Sequence, residues 1–76
     1  MKTTMILLST INDVKAFVNI VNKCDYEVDL VCGRYAVDAK SIMGIFSLDL
    51  SKSIKLEAHT DNADEFFAEI KDFMVD

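Results

Sequence analysis

The residue in this chain best placed for chemistry is Ser41, which lies within the segment AKSIMGIFSL, residues 39–48. A serine ahead of an apolar stretch is a good N-cap, and we expect a short helix over about residues 42–48. The same hydroxyl can carry a phosphate, because the free N–H groups and the positive end of a helix tolerate an anion there. Judged from the residues alone, simple capping and phosphorylation of Ser41 both stay open.

The apolar residues behind Ser41 divide into two sets. Helical spacing places one set toward the protein interior; this set is Ile42, Ile45 and Leu48. Met43 and Phe46 are three residues apart and fall on the outward side, around Gly44. Single exposed apolar residues are ordinary, but a methionine and a phenylalanine together on a small domain also fit an interface. The sequence leaves these two interpretations of Met43 and Phe46 open.

The remaining reactive side chains do not form a recognisable site. His59 is the only histidine, and alternation puts it on the polar side of a predicted strand, where we expect a surface residue. Cys24 and Cys32 do not form a C-x-x-C motif, and no second pair completes a zinc site. We expect two reduced, partly buried thiols in a cytoplasmic protein, with a disulfide or redox role as the alternative. No metal and no cofactor are expected.

Length and composition bound the class of protein. With 76 residues, 51% of them hydrophobic, the chain is expected to form a single globular domain over residues 1–76. The net charge of −5 argues against direct nucleic-acid binding, which requires a basic surface. The longest apolar run, Met5 to Leu8, is far below the roughly 20 residues of a membrane span, and no signal peptide is expected.

Hydrophobic periodicity predicts the secondary structure. Thr10 and Asp13 have the spacing of a capping box, which predicts a helix that begins at residue 11 and extends to about 23. The expected buried face of that helix is Ile11, Val14, Phe17, Val18 and Val21. Alternating residues predict strands at about 2–8, 26–32, 35–39 and 54–59, with a turn at Gly33-Arg34.

A last helix is predicted after Asp61 or Asn62, one of which is expected to cap it. Its expected buried face is Phe66, Phe67, Ile70, Phe73 and Met74. The resulting order is β-α-β-β-α-β-α. Alternating strands have one face packed and one solvated, so the order predicts an α+β fold with a four-stranded antiparallel sheet covered on one face by three helices.

Three short segments resemble a known family. KSIMG at residues 40–44, the following Ser47-Leu48, and ADE at residues 63–65 are similar to HPr, the histidine-containing phosphocarrier family of the bacterial sugar phosphotransferase system. The similarity extends upstream through Val37, Gly33 and the predicted Tyr26–Leu30 strand to the first helix, so it covers nearly the whole chain. It implies the family's open-faced β-sandwich. It also implies that Ser41 is a regulatory phosphorylation site of the kind modified by HPr kinase. The residues it implies for partner docking are Lys40, Met43, Gly44 and Phe46.

The chain departs from the family where the phosphoryl group is carried. The family motif H-x-R-P aligns with Thr10, Asn12 and Asp13, so the histidine, arginine and proline are all replaced. A phosphothreonine ester would hold its phosphoryl group rather than release it, and Asp13 adds negative charge in the same turn. We therefore expect no catalytic residue in this chain and no phosphoryl transfer from phosphoenolpyruvate.

The resemblance and these departures favour a non-enzymatic regulatory protein, similar to the catabolite-repression HPr-like proteins that also lack the histidine. The expected partners are proteins: HPr kinase/phosphorylase, a transcription regulator, or other phosphotransferase components. The alternatives are a phosphocarrier that uses a non-standard residue, a degenerate paralogue without phosphorylation, and a small-ligand-binding module whose likeness to HPr is only architectural.

Overall fold

A computed structural model describes residues 1–75 as a single antiparallel sheet with helices packed against one face. The sheet contains five strands in the order β3-β2-β4-β1-β5. The strands are β1 (Lys2–Ile6), β2 (Val28–Cys32), β3 (Tyr35–Asp38), β4 (Ile54–Ala58) and β5 (Met74–Val75). The predicted α+β class and the order of the first seven elements are confirmed.

The helices are shorter than the sequence predicts. They are α1 (Ile11–Val21), α2 (Ile42–Phe46) and α3 (Asp64–Glu69), with a 3₁₀ turn at Lys71–Phe73 after α3. The prediction for α3 is wrong in two respects. Its backbone N-cap is Ala63 rather than Asp61 or Asn62, although the Asn62 side chain accepts a hydrogen bond from the Asp64 N–H at 3.1 Å. Met74 does not belong to the helix at all.

The fifth strand corrects the predicted four-stranded sheet. After the 3₁₀ turn the chain runs antiparallel to β1, so that Met5 pairs with Val75 and Ile6 with Met74. The Leu7 N–H also donates to the Phe73 carbonyl at 2.8 Å. An edge strand offers unpaired backbone groups, and the apolar C-terminal segment satisfies those of β1. Helical spacing alone cannot reveal this pairing, because it joins the two ends of the described chain.

Strand alternation builds the core. In β4 the side chains of Ile54, Leu56 and Ala58 are buried, whereas Lys55 between them is exposed. Phe17 of α1 is fully buried and meets the ring of Phe73 edge-on, with 6.3 Å between the ring centroids. Burial of this apolar face is the main stabilising contribution to a domain of this size. The other sheet face carries no helix, as in an open-faced sandwich.

The structure tests two local predictions, the turn at Gly33 and the burial of Ile11 at the start of α1. Gly33 has a φ of +60°, a conformation that favours glycine, and it joins β2 to β3 as predicted. Ile11, however, is 63% exposed and does not belong to the buried face of α1. It occupies the first helical position, one turn before Val14, the first buried residue of that face.

Candidate functional site

The N-terminus of α1 is capped by the side chains of Thr10 and Asp13. Thr10 has an extended backbone, and its Oγ1 accepts a hydrogen bond from the Asp13 N–H at 3.0 Å. In return, Asp13 Oδ2 accepts from the Thr10 N–H at 3.2 Å and from the Ser9 N–H at 3.1 Å. The capping box predicted from the sequence is therefore confirmed.

This geometry decides what the helix start can bind. The free N–H groups and the helix dipole favour one negative charge at this position. The carboxylate of Asp13 already supplies that charge and uses the N–H groups of two residues. A phosphate at Thr10 would lie beside a carboxylate, and the exposed Asn12 offers it no positive charge. The first cation of the helix is Lys15, which follows Asp13 by two positions and is also exposed.

Ser41 caps α2 as predicted. It is exposed, its backbone is extended, and its Oγ accepts a hydrogen bond from the Gly44 N–H at 3.2 Å. A Cβ on Gly44 would lie 3.3 Å from Ser41 Oγ and 3.4 Å from the Val37 Cβ. The glycine thus allows the serine side chain and strand β3 to approach the helix closely. The hydroxyl oxygen remains open to solvent on its other side.

The cap makes a specific contribution to stability. We expect Ser41→Ala to lower the free energy of unfolding by about 1 kcal/mol, because the Gly44 N–H loses its side-chain acceptor. Urea unfolding followed by far-UV circular dichroism measures the change, and Ser53→Ala, at an exposed loop serine, is the matched control. Equal effects of the two substitutions would contradict a capping role for Ser41.

Lys40 does not point its charge at Ser41. Its Nζ donates to the Cys24 carbonyl at 3.1 Å, which ties the start of α2 to the loop after α1. Its backbone N–H donates to Asp38 Oδ1 at 2.8 Å. Any contribution of this ammonium group to binding a phosphate at Ser41 requires Lys40 to leave the Cys24 carbonyl first.

The apolar residues of α2 separate as predicted. Ile45 is fully buried, and Ile42 and Leu48 are half-buried. Met43 is 76% exposed and Phe46 is 40% exposed. We refer to Met43 and Phe46 as the α2 patch. These exposures show that the side chains are accessible to a partner, and they leave their use as an interface a hypothesis.

The other candidate side chains lie elsewhere. His59 follows β4, and its Nε2 lies 2.9 Å from Asp29 Oδ2 of β2, so it is not at the start of α1. Cys24 and Cys32 are free and half-buried. In the part of the chain covered by residues 1–75, no group of three or more His, Cys, Asp or Glu is arranged to hold a metal ion. No helix within those residues is long and apolar enough to cross a membrane.

The fold and this arrangement define the class: an open-faced β-sandwich with a capped first helix and a serine-capped second helix on its helical side. The family model described as the PTS HPr component phosphorylation site matches residues 13–76. The chain therefore belongs to the HPr family of the phosphotransferase system, whose members are phosphocarrier proteins rather than enzymes. The match begins at Asp13, so Thr10 and Asn12 lie outside it. Among curated protein sequences, none matches this chain.

Solved structures agree with this family. The chain is similar to HPr-C-His from Thermoanaerobacter tengcongensis, with 29% sequence identity and a TM-score of 0.79 over 95% of this chain and 89% of that one. It also resembles the phosphocarrier protein HPr from Bacillus anthracis, with 20% identity and a TM-score of 0.73 over 97% and 96% of the two chains. A histidine-containing phosphocarrier protein from Mycoplasma matches at 17% identity and a TM-score of 0.70, over 93% and 86%. The last two likenesses concern the fold alone.

Proposed function

We propose that this HPr-family protein does not carry phosphate at the start of α1 and acts instead through regulatory contacts with other proteins. One observation carries the proposal: the Asp13 carboxylate accepts hydrogen bonds from the Ser9 and Thr10 N–H groups, where a carrier needs room for a phosphoryl group. The hydroxyl of Thr10 also lacks the chemistry of a carrier, because a phosphate ester does not release its phosphoryl group as readily as the P–N bond of phosphohistidine.

The second part of the proposal concerns α2. Ser41 is the regulatory phosphorylation site, and the α2 patch, with Lys40 and Gly44 beside it, contacts the partner. Ser41 is exposed and caps the helix, so a phosphate there meets free N–H groups instead of disrupting packing. Met43 and Phe46 lie within the next five residues and stay accessible. A charge change at Ser41 would thus occur directly beside the contact surface, which is expected to alter partner affinity.

Incubation with HPr kinase and ATP, followed by intact-mass measurement, tests this part. We expect a gain of one phosphate on the wild-type chain and none on Ser41→Ala. Met43→Ser/Phe46→Ser is expected to remain folded but to be phosphorylated more slowly, since it keeps the acceptor and loses the docking side chains. Amide NMR spectra of each variant establish that it is folded.

Each outcome of the kinase assay has a defined meaning. No mass gain with a kinase that modifies an authentic HPr would favour a degenerate paralogue without phosphorylation. A gain that persists in Ser41→Ala would place the modification at another residue and contradict the assignment. Equal rates for the wild type and the double variant would contradict docking through the α2 patch.

A further inference from the structure

A groove of about 670 Å³ lies at one end of the sheet, and Ser41 is not among the residues that line it. Its base includes a row of neighbouring side chains across three strands: Met5 of β1 pairs with Lys55 of β4, and Lys55 pairs with Val31 of β2. Burial alternates along β4, so this row belongs to the sheet face that carries no helix. The β2–β3 turn and the loop over residues 47–53 form its walls.

The groove is basic in an acidic protein. Its lining contains Arg34, Lys52 and Lys55, three of the eight cations in the chain, but only Asp49 of the thirteen carboxylates. Asp49 Oδ1 accepts hydrogen bonds from the Ser51 N–H at 3.1 Å and from the Ser51 hydroxyl at 2.6 Å. The Ser51 hydroxyl and N–H hold the pKa of Asp49 below its usual range, so this carboxylate stays ionised at neutral pH. Three cations against one carboxylate give the groove a local charge of about +2. The whole chain carries −5.

The cations of the groove are available to a ligand. Within residues 1–75, no carboxylate forms a salt bridge with Arg34 or Lys52. Lys55 has a weak partner in Glu57, at 3.4 Å, on the exposed face of the same strand. Lys52 also attracts Asp49 and helps to lower the pKa of that carboxyl. The Arg34 guanidinium and the Lys52 ammonium group can each donate to a carboxylate, sulfonate or phosphate group.

The apolar residues of the lining favour a ligand whose non-anionic part is apolar. Met5 is 37% exposed and lies on the same sheet face as Val31, with Lys55 between them in the row. Volumes of roughly 300–1,000 Å³ with apolar walls and a few placed polar groups are typical of small-molecule sites. An aromatic ring can pack against Met5 or Val31 while its anionic group meets a cation of the lining.

We propose that this groove binds a small organic anion with an apolar, ring-sized body. The groove shares no residue with the α2 patch or with Ser41, so the proposal is independent of the regulatory function above. Its main support is the local excess of cations in the lining, which attracts an anion at short range although the whole chain is acidic.

The experiment uses 2-naphthalenesulfonate as the probe and the ¹⁵N-labelled full chain. Amide shifts followed by NMR are expected to saturate and to concentrate at residues 31–35 and 47–55. Arg34→Glu/Lys52→Glu is expected to raise the Kd about tenfold or more, because two attractions become repulsions. Lys15→Glu/Lys71→Glu, an equal charge change at exposed residues outside the groove, is expected to leave the Kd within about twofold.

Three results would overturn the proposal. One is shifts that spread over the surface without saturating. Another is an equal loss of affinity in both double variants, which would indicate only the effect of net charge. The third is equal binding of the neutral analogue 2-naphthalenemethanol to the wild-type chain, which would show that the cations do not select an anion.

Discussion

Incubated with enzyme I and labelled phosphoenolpyruvate, the wild-type chain is expected to gain no acid-labile phosphoryl group. In the proposed alignment the acceptor position falls on Thr10 rather than on an imidazole, and the N–H groups of Ser9 and Thr10 already donate to the Asp13 carboxylate. The incoming group is an anion, so it meets repulsion where a carrier offers an arginine. Acid-labile label bound to the wild-type chain would favour the alternative function, a phosphocarrier with a non-standard acceptor.

Restoring the family motif in this chain is expected to have the opposite result, a gain of phosphoryl transfer. Thr10→His/Asn12→Arg/Asp13→Pro is expected to acquire acid-labile label, because it gains the acceptor and a cation and loses the competing carboxylate. Proline is tolerated in the first helical turn, where the N–H groups have no intrahelical partner. Loss of the capping interaction between Asp13 and Thr10 is expected to lower the free energy of unfolding by about 1 kcal/mol, and the variant is expected to remain folded.

The matched control for the graft is Thr10→Ala/Asn12→Arg/Asp13→Pro, which carries the same changes without the imidazole. It must stay unlabelled if the new histidine is the acceptor. Equal labelling of graft and control would contradict the assignment of these three positions as the cause of lost carriage. Amide NMR spectra of both variants verify that each is folded before the assay is interpreted.

Replacement of Phe17 by alanine is expected to remove a large share of the free energy of unfolding of this domain. The side chain is fully buried and packs edge-on against Phe73, so the substitution removes a large apolar group and leaves a cavity. Such changes cost about 3–5 kcal/mol. At roughly 0.05–0.15 kcal/mol per residue, a chain of this length has only about 4–11 kcal/mol in total.

Phe46→Ala is the matched control, because it removes the same side chain from a 40% exposed position in α2. We expect it to cost about 1 kcal/mol or less. Thermal and urea unfolding of the two variants, measured side by side, provide the comparison. A cost for Phe46→Ala that equals the cost for Phe17→Ala would show that Phe46 is part of the core and would remove it from the proposed docking patch.

Features that depend on neighbours along the chain could be predicted from the amino-acid sequence. The capping box from Thr10 to Asp13, the Ser41 cap and the glycine turn at Gly33 each involve atoms within four residues of one another. Strand alternation likewise identified the buried side chains of β4. Each of these features is expressed in residues that lie close together in the chain, so residue types at fixed spacing were enough to predict them.

Features that depend on residues distant in sequence became visible only in the folded chain. Val75 joins the sheet because β1, seventy residues earlier, has a free edge. Lys40 turns away from Ser41 because the Cys24 carbonyl lies within 3.1 Å, and the basic groove exists because three strands, a turn and a loop converge. Chain spacing carries no information about such contacts, since each requires packing to bring separate segments together.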